Sequence, residues 1–231
     1  MFDINTYFDN IYCLNLDSRK DRWQKMEAKF KILGIGAQRF SAIDGNSIDD
    51  SEFEKIMVKA NPEGLVGRDR DVKGVFGNKF ALGCLLSHLK IYNDAKEKGF
   101  KRILILEDDV LFAEDFSERI QKIQDLKWKM IYLGATQYDW SVRMNGGFYE
   151  AKHSLGTFGY AVDSSFYDFL INSLGEKLKT VDNALAKLQT PDILVFFPNL
   201  VVADVTDSDI RGSRNQEEHS VKMKWNLKKY W

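Results

Sequence analysis

The stretch RILILEDDVLF at residues 102–112 sets four uninterrupted apolar residues, Ile103, Leu104, Ile105 and Leu106, directly before three consecutive acids, Glu107, Asp108 and Asp109. A short strand without polar alternation fits only where both faces of a sheet are covered, as crossover helices cover a central parallel strand. This segment therefore calls for an α/β sandwich with helices on each side. The acids make a second demand: like charges at the end of a buried strand repel one another and need a cationic partner.

The flanking sequence supplies the layers. Residues 11–16, IYCLNL, form a strand candidate, after which Trp23, Met26, Phe30 and Leu33 recur at helical spacing up to Gly34, with Ser18 and Asp21 placed as a capping box. QRFSAIDG follows as a second strand, ending in the turn-forming pair Asp44 and Gly45. A short helix is expected over 50–59, and the stretch 61–78, rich in glycine and charge, reads as a long loop or flap. In residues 79–98, Ala81, Leu85, His88, Leu89, Tyr92 and Ala95 fall at spacings of three and four, one apolar helical face closed by Gly99. Beyond the acids, AEDFSERIQKIQDL is helical, KMIYLGA and GTFGYAVD read as strands, and two helical stretches fall near 164–174 and 180–188. DILVFFPNLVVADV is a strand pair interrupted by Pro198, and the polar, basic end of the chain reads as irregular. Strands alternating with helices give a single α/β domain over 1–231, with 211–231 as a C-terminal tail.

Composition narrows the function. The chain has 231 residues and is 44% hydrophobic, enough for a sizeable core. Lysine plus arginine number 33 against 34 aspartates and glutamates, so no bulk field favours nucleic acid and any charge-based function is local. No apolar stretch reaches the ~18 residues of a membrane span, and the N-terminus has no basic region followed by an apolar one, so a cytoplasmic protein is expected. Cys13 and Cys84 show no metal-type spacing from each other and read as buried thiols.

In an open parallel sheet the ligand crevice lies beyond the carboxyl ends of the strands. Three segments bring polar groups there: Asn15 with Asp17, Asp44 with Gly45, and the acids themselves. A hard dication such as Mn²⁺ or Mg²⁺ takes oxygen ligands and bridges nucleotide phosphates through one or two protein carboxylates, which would balance the acids. Arg19 and Arg22, three apart in a first helical turn, can face the same crevice and offer planar donors to phosphate or a base. Acids after a strand also begin ordinary turns and helices. ILILEDD further resembles the Mg²⁺-binding pocket of response-regulator receiver domains, but that motif opens a domain and needs an acid after a later strand, where MIYLGA has none.

The blocks IYCLNLDSRKDRW (11–23), RFSAIDG (39–45), ALGCLLSHLKIY (81–92), ILILEDDVLF (103–112), GTFGYAV (156–162) and LVVADVTDSDI (200–210) together resemble glycosyltransferase family 25. That family includes bacterial lipooligosaccharide galactosyltransferases and collagen hydroxylysine galactosyltransferases. The resemblance implies a GT-A fold, with a Rossmann-like, mostly parallel central sheet flanked by helices. It also implies a UDP-sugar donor, most often UDP-galactose, inversion at the anomeric carbon, Mn²⁺ or Mg²⁺ as cofactor, and EDD as the family's form of the DxD motif. Asp109 would bind the metal directly and Glu107 would reach the metal or the donor ribose. Asp108, the middle acid, is a donor-site candidate that can equally point elsewhere. Asn15, Arg19 and Arg22 would hold the nucleotide, and Asp44, with Gly45, would meet its uridine side.

Inverting transfer also needs a base for the acceptor hydroxyl. The resemblance points to a late acid: Asp182 in TVDNAL, which could instead cap a helix, or Asp209 in DSDI, which could instead be a turn residue. His219 falls where many GT-A enzymes place a metal-binding histidine, although a solvated histidine suits that segment as well. His88 lies on an apolar helical face, as a core histidine does, and His153 has no pattern around it. The tail VKMKWNLKKYW could rest on an anionic membrane carrying a glycolipid acceptor or pack on its own domain. The expectation is a metal-dependent inverting glycosyltransferase that moves a hexose from a UDP-sugar to a hydroxyl of a glycan, glycolipid or hydroxylysine. The alternative is a non-catalytic relative that keeps the fold and binds a sugar nucleotide or glycan.

Overall fold

The computed structural model describes residues 2–231. In chain order its elements are α1 (Ile4–Tyr7), β1 (Asn10–Asn15), α2 (Lys20–Leu33), β2 (Gln38–Ser41), α3 (Asp50–Ala60), α4 (Arg68–Lys73), α5 (Lys79–Glu97), β3 (Arg102–Glu107), β4 (Val110–Phe112), α6 (Phe116–Ile120), β5 (Met130–Tyr132), β6 (Thr136–Gln137), β7 (Met144–Asn145), β8 (Phe148–Glu150), β9 (Ser154–Leu155), β10 (Gly159–Asp163), α7 (Tyr167–Lys177), α8 (Val181–Ala186), β11 (Ile193–Phe196), β12 (Val201–Ala203) and α9 (Gln216–Met223).

Ile103, Leu104, Ile105 and Leu106 on β3 are all fully buried, and successive residues feed different cores. Ile103 and Ile105 meet Leu82, Leu85 and Tyr92 of α5 and Leu170 and Leu174 of α7 on one face. Leu104 and Leu106 meet Met26 and Phe30 of α2 and Phe116 of α6 on the other. The two-residue period of a strand makes this division, and β1 repeats it with Tyr12 and Leu14 on the first face and Ile11 and Cys13 on the second. Each such side chain contributes about 1.5–3 kcal/mol by leaving water.

The main sheet has eight strands in the order β2-β1-β3-β10-β5-β11-β8-β7. Strands β2, β1, β3, β5, β11 and β7 run one way, and β10 and β8 run the other. This is the expected α/β architecture, a mainly parallel sheet flanked by helices. Leu14 pairs with Glu107 across β1 and β3, which brings Asn15 beside the acids at one carboxyl edge. Just past that edge, β4 pairs with β12 in a small second sheet.

Several local expectations differ from the structure. Ser18 does not cap α2: the cap residue is Arg19, without a side-chain bond, and the Asn15 side chain holds the Arg19 carbonyl at 2.9 Å instead. The stretch 61–78 contains α4, so it is not wholly loop. The C-terminal segment also contains a helix, α9, and its aromatic residues turn inward. Trp225 packs edge-on against Phe158, and Trp231 lies 6.4 Å from the Phe112 ring while exchanging backbone hydrogen bonds with Phe112. Among the described residues no helix is long and apolar enough to cross a membrane.

Candidate active site

A cleft with about 660 Å³ of empty volume, part of it open to solvent, lies at the carboxyl edge of β1 and β3. Its wall combines Asn15, Arg22, Gly45, Cys84, Glu107, Asp108, Asp109 and Asp209 with apolar side chains such as Leu14, Ile43 and Phe80. The wall over 42–45 is set by close packing on α5. A Cβ on Gly45 would meet the Phe80 backbone nitrogen at 2.6 Å, and one on Gly83 would meet the Ile43 carbonyl at 2.5 Å. Ser87 secures the contact, accepting from the Ile43 N–H at 2.8 Å and donating to the Gly83 carbonyl at 2.7 Å.

The three acids have three different environments. Asp108 is an internal ion pair: it accepts from Arg22 Nη1 at 2.9 Å and from the Asn15 amide at 2.6 Å, and the Asp108 and Arg22 side chains are each 9% exposed. Glu107 accepts from the Thr157 hydroxyl at 2.6 Å and faces His88 Nε2 at 3.5 Å. Asp109 Oδ1 is shielded from solvent without a hydrogen-bond partner. Burial, with Glu107 and Asp108 beside it, pushes the Asp109 carboxyl well above the usual aspartate value. A divalent cation fits these groups. The donors are hard carboxylate oxygens, and an unpartnered, partly desolvated carboxylate among like charges is what a dication offsets.

Arg19 and Arg22 both face the C-terminal acids. Arg19 Nη1 donates to both oxygens of Asp209, at 2.9 and 3.1 Å, and the same guanidinium contacts Asp21 and Asp207. Arg22 Nη1 lies 3.3 Å from Asp209, while its buried Nη2, without a hydrogen bond, lies 3.5 Å from Asp207. Asp207 and Asp209 thus close one end of the cleft over the start of α2.

The remaining candidates are spread around this centre. Asp44 accepts from the Asn46 N–H and caps the 3₁₀ turn that begins at Gly45. Asp182 is in the first turn of α8, where it accepts from its neighbour Asn183 and lies 3.7 Å from Arg211. Asp182 is not among the residues that line the cleft; burial first, then the charges of Glu107 and Asp182, raise the Cys84 thiol. His219 is on α9 with its ring 5.1 Å from Trp225, and burial together with Arg214, Lys222 and Arg211 holds its pKa down. His153 adopts a left-handed backbone conformation at φ 54°.

Three residues at the site lacked a signal of their own in the sequence. Thr157 and Asp207 sit within quoted blocks but gain their partners through contacts 50 and 188 residues apart. Cys84 reads as one more apolar position of α5, yet it lines the cleft.

Comparisons with known proteins bear on the family. Residues 8–145 match the profile described as Glycosyltransferase family 25 (LPS biosynthesis protein). Procollagen galactosyltransferase 1 of Danio rerio is 30% identical over 166 residues, 67% of this chain and 27% of that protein. The inactive glycosyltransferase 25 family member 3 of Mus musculus is 31% identical over 136 residues, 56% of this chain and 22% of that protein. The chain thus spans about a quarter of the length of these curated relatives. A crystal structure of a glycosyltransferase involved in the glycosylation of the major capsid of PBCV-1 aligns over 93% of this chain and 98% of its own, at 11% identity and a TM-score of 0.42. With the profile match covering more than half of the residues, including β1, α5 and the acids after β3, the chain belongs to glycosyltransferase family 25.

Proposed function

We propose that the chain is a metal-dependent, inverting hexosyltransferase that takes a UDP-sugar, with UDP-galactose the favoured donor, and delivers the sugar to a hydroxyl of a glycan, glycolipid or hydroxylysine. The observation that carries this reading is the Asp109 carboxylate, buried with an unpartnered oxygen at the edge of a cleft. Asp109 and Glu107 would hold Mn²⁺ or Mg²⁺, and a bound dication supplies charge neutralisation for the departing diphosphate. Arg22 stands on the cleft wall with its Nη2 unbonded and 3.5 Å from Asp207, a guanidinium suited to an anionic donor group. The galactosyl donor is favoured by the names of the procollagen galactosyltransferases among the relatives.

The acceptor's proton needs a carboxylate. Asp209 is held by two guanidinium groups, whereas Asp182 has only Arg211 at 3.7 Å, so Asp182 is the freer base. Asp182→Asn is expected to lower the transfer rate by about 10²- to 10⁴-fold with the UDP-sugar KM unchanged, in steady-state kinetics. A loss confined to KM would remove the base assignment. For the reaction itself, Mn²⁺-dependent hydrolysis or transfer of UDP-galactose is expected in the wild type and absent in Asp109→Ala; equal activity of the two would remove the metal assignment.

A second reading has its own observations: Arg19 is saturated by Asp21, Asp207 and Asp209, and a relative named as inactive is 31% identical over 136 residues. A chain of this kind would bind UDP and turn nothing over, which calorimetry followed by the hydrolysis assay distinguishes.

A further inference from the structure

The face of α5 beneath the cleft holds a group of side chains that glycosyl transfer as described above does not use. Cys84 and His88 stand four residues apart and so project from the same helix face, and Glu107 reaches them from the end of β3. A sulfur, an imidazole nitrogen and a carboxylate oxygen from these three residues lie within 4.8 Å of one another.

Two details distinguish this group from chance packing. His88 is fully buried, and its Nε2 has no hydrogen-bond partner; Glu107 Oε1 lies 3.5 Å from it. Its Nδ1 is 2.7 Å from the Tyr160 hydroxyl, which in turn is 2.5 Å from the Tyr92 hydroxyl. With the proton on Nδ1, His88 donates to Tyr160 and turns the Nε2 lone pair toward Cys84 and Glu107. Metal-binding histidines are commonly fixed in this way, by a hydrogen bond at the other ring nitrogen.

We infer that Cys84, His88 and Glu107 form a second cation site, selective for a borderline or soft dication of the Zn²⁺ type. The donor chemistry sets the selectivity, since thiolate and imidazole suit Zn²⁺ or Co²⁺ and are poor ligands for Mg²⁺. The geometry suits it too: tetrahedral ligation at about 2.0–2.3 Å sets donor atoms roughly 3.3–3.7 Å apart. The His88–Glu107 separation of 3.5 Å already meets this, and the sulfur lies within 4.8 Å of both donors. Three protein ligands leave a fourth position for water or a bound ligand, and Cys84 lines the cleft from which either would come. Glu107 is common to this site and to the acid cluster, so the two cations compete for one carboxylate. The inference does not depend on glycosyl transfer, because Cys84 and His88 have no part in it.

Cobalt titration of the full chain tests it. Thiolate-to-Co²⁺ charge transfer in the near ultraviolet is expected to saturate at a single equivalent and to bleach when Zn²⁺ is added. The band is expected to vanish in Cys84→Ser and to persist in Asp109→Ala, which removes the acid site while sparing this one. His88→Gln, close in size to the buried ring, is expected to weaken Zn²⁺ binding at least about tenfold in equilibrium dialysis, with the circular dichroism spectrum unchanged. A wild type without the band would overturn the inference, as would a band that survives Cys84→Ser and so arises from Cys13. Loss of the band in Asp109→Ala would equally overturn it, by assigning the cation to the acids.

Discussion

Asp108 and Asp109 are neighbours in sequence and opposites in environment. Arg22 and Asn15 enclose Asp108, while Asp109 Oδ1 faces no donor. Two residue-scale predictions follow from this contrast. Asp109→Asn keeps the shape and removes the charge, and is expected to raise the stability of the metal-free protein by about 1–2 kcal/mol in chemical denaturation, because sites built for ligands hold their charges at a cost. Arg22→Met does the reverse: it strands Asp108 with only Asn15 and is expected to cost about 3–5 kcal/mol in the same experiment. The acid triplet itself was legible in the sequence, as were Asn15 and Arg22. The division of roles among the acids was not, because the strand ends at Glu107 and the backbone beyond it, not the residue types, decides where each carboxylate points. Cys84 and His88 read only as positions on the buried face of α5, and their third partner, Glu107, enters from another element.

At the scale of elements, α5 shows how close packing shapes the cleft. Gly83 is mid-helix, where alanine ordinarily stabilises, yet its Cβ would meet the Ile43 carbonyl at 2.5 Å. Gly83→Ala is therefore expected to cost about 1–3 kcal/mol in denaturant melts and to displace the 42–45 wall. Gly175, on α7, has nothing within 4 Å of its Cβ, and Gly175→Ala is expected to stabilise by about 0.5–1 kcal/mol. The opposite signs isolate packing from helix propensity. The apolar spacing of α2 and α5 was enough to locate both helices, since one buried face repeats every three or four residues. The capping box at Ser18 failed because the helix begins one residue later, with Arg19 at the cap, which breaks the three-residue spacing to Asp21. The tail read as irregular for a related reason: α9 has acids in its first turn and few apolar residues, and it is held by Met223 and Trp225 packing on the distant β3–β4 core.

For the whole molecule, the run at 103–106 was sufficient to require a covered central strand, and the sheet is built around it. Strand direction was not legible. β10 lies antiparallel between β3 and β5, yet its residues are as apolar as those of its parallel neighbours, and buried strands of either direction carry the same pattern. The carboxyl edge, where β1 and β3 end side by side, gathers what the proposed chemistry needs: oxygen ligands for a dication, a guanidinium and a cleft. The proposed chemistry depends on a cation that joins the acids to a nucleotide diphosphate. Calorimetric titration of the wild type with UDP, with and without Mn²⁺, measures that linkage directly. The expected result is binding at least about tenfold tighter when Mn²⁺ is present, with the gain abolished in Asp109→Asn. Equal affinity in both buffers, or a gain that survives Asp109→Asn, would contradict it.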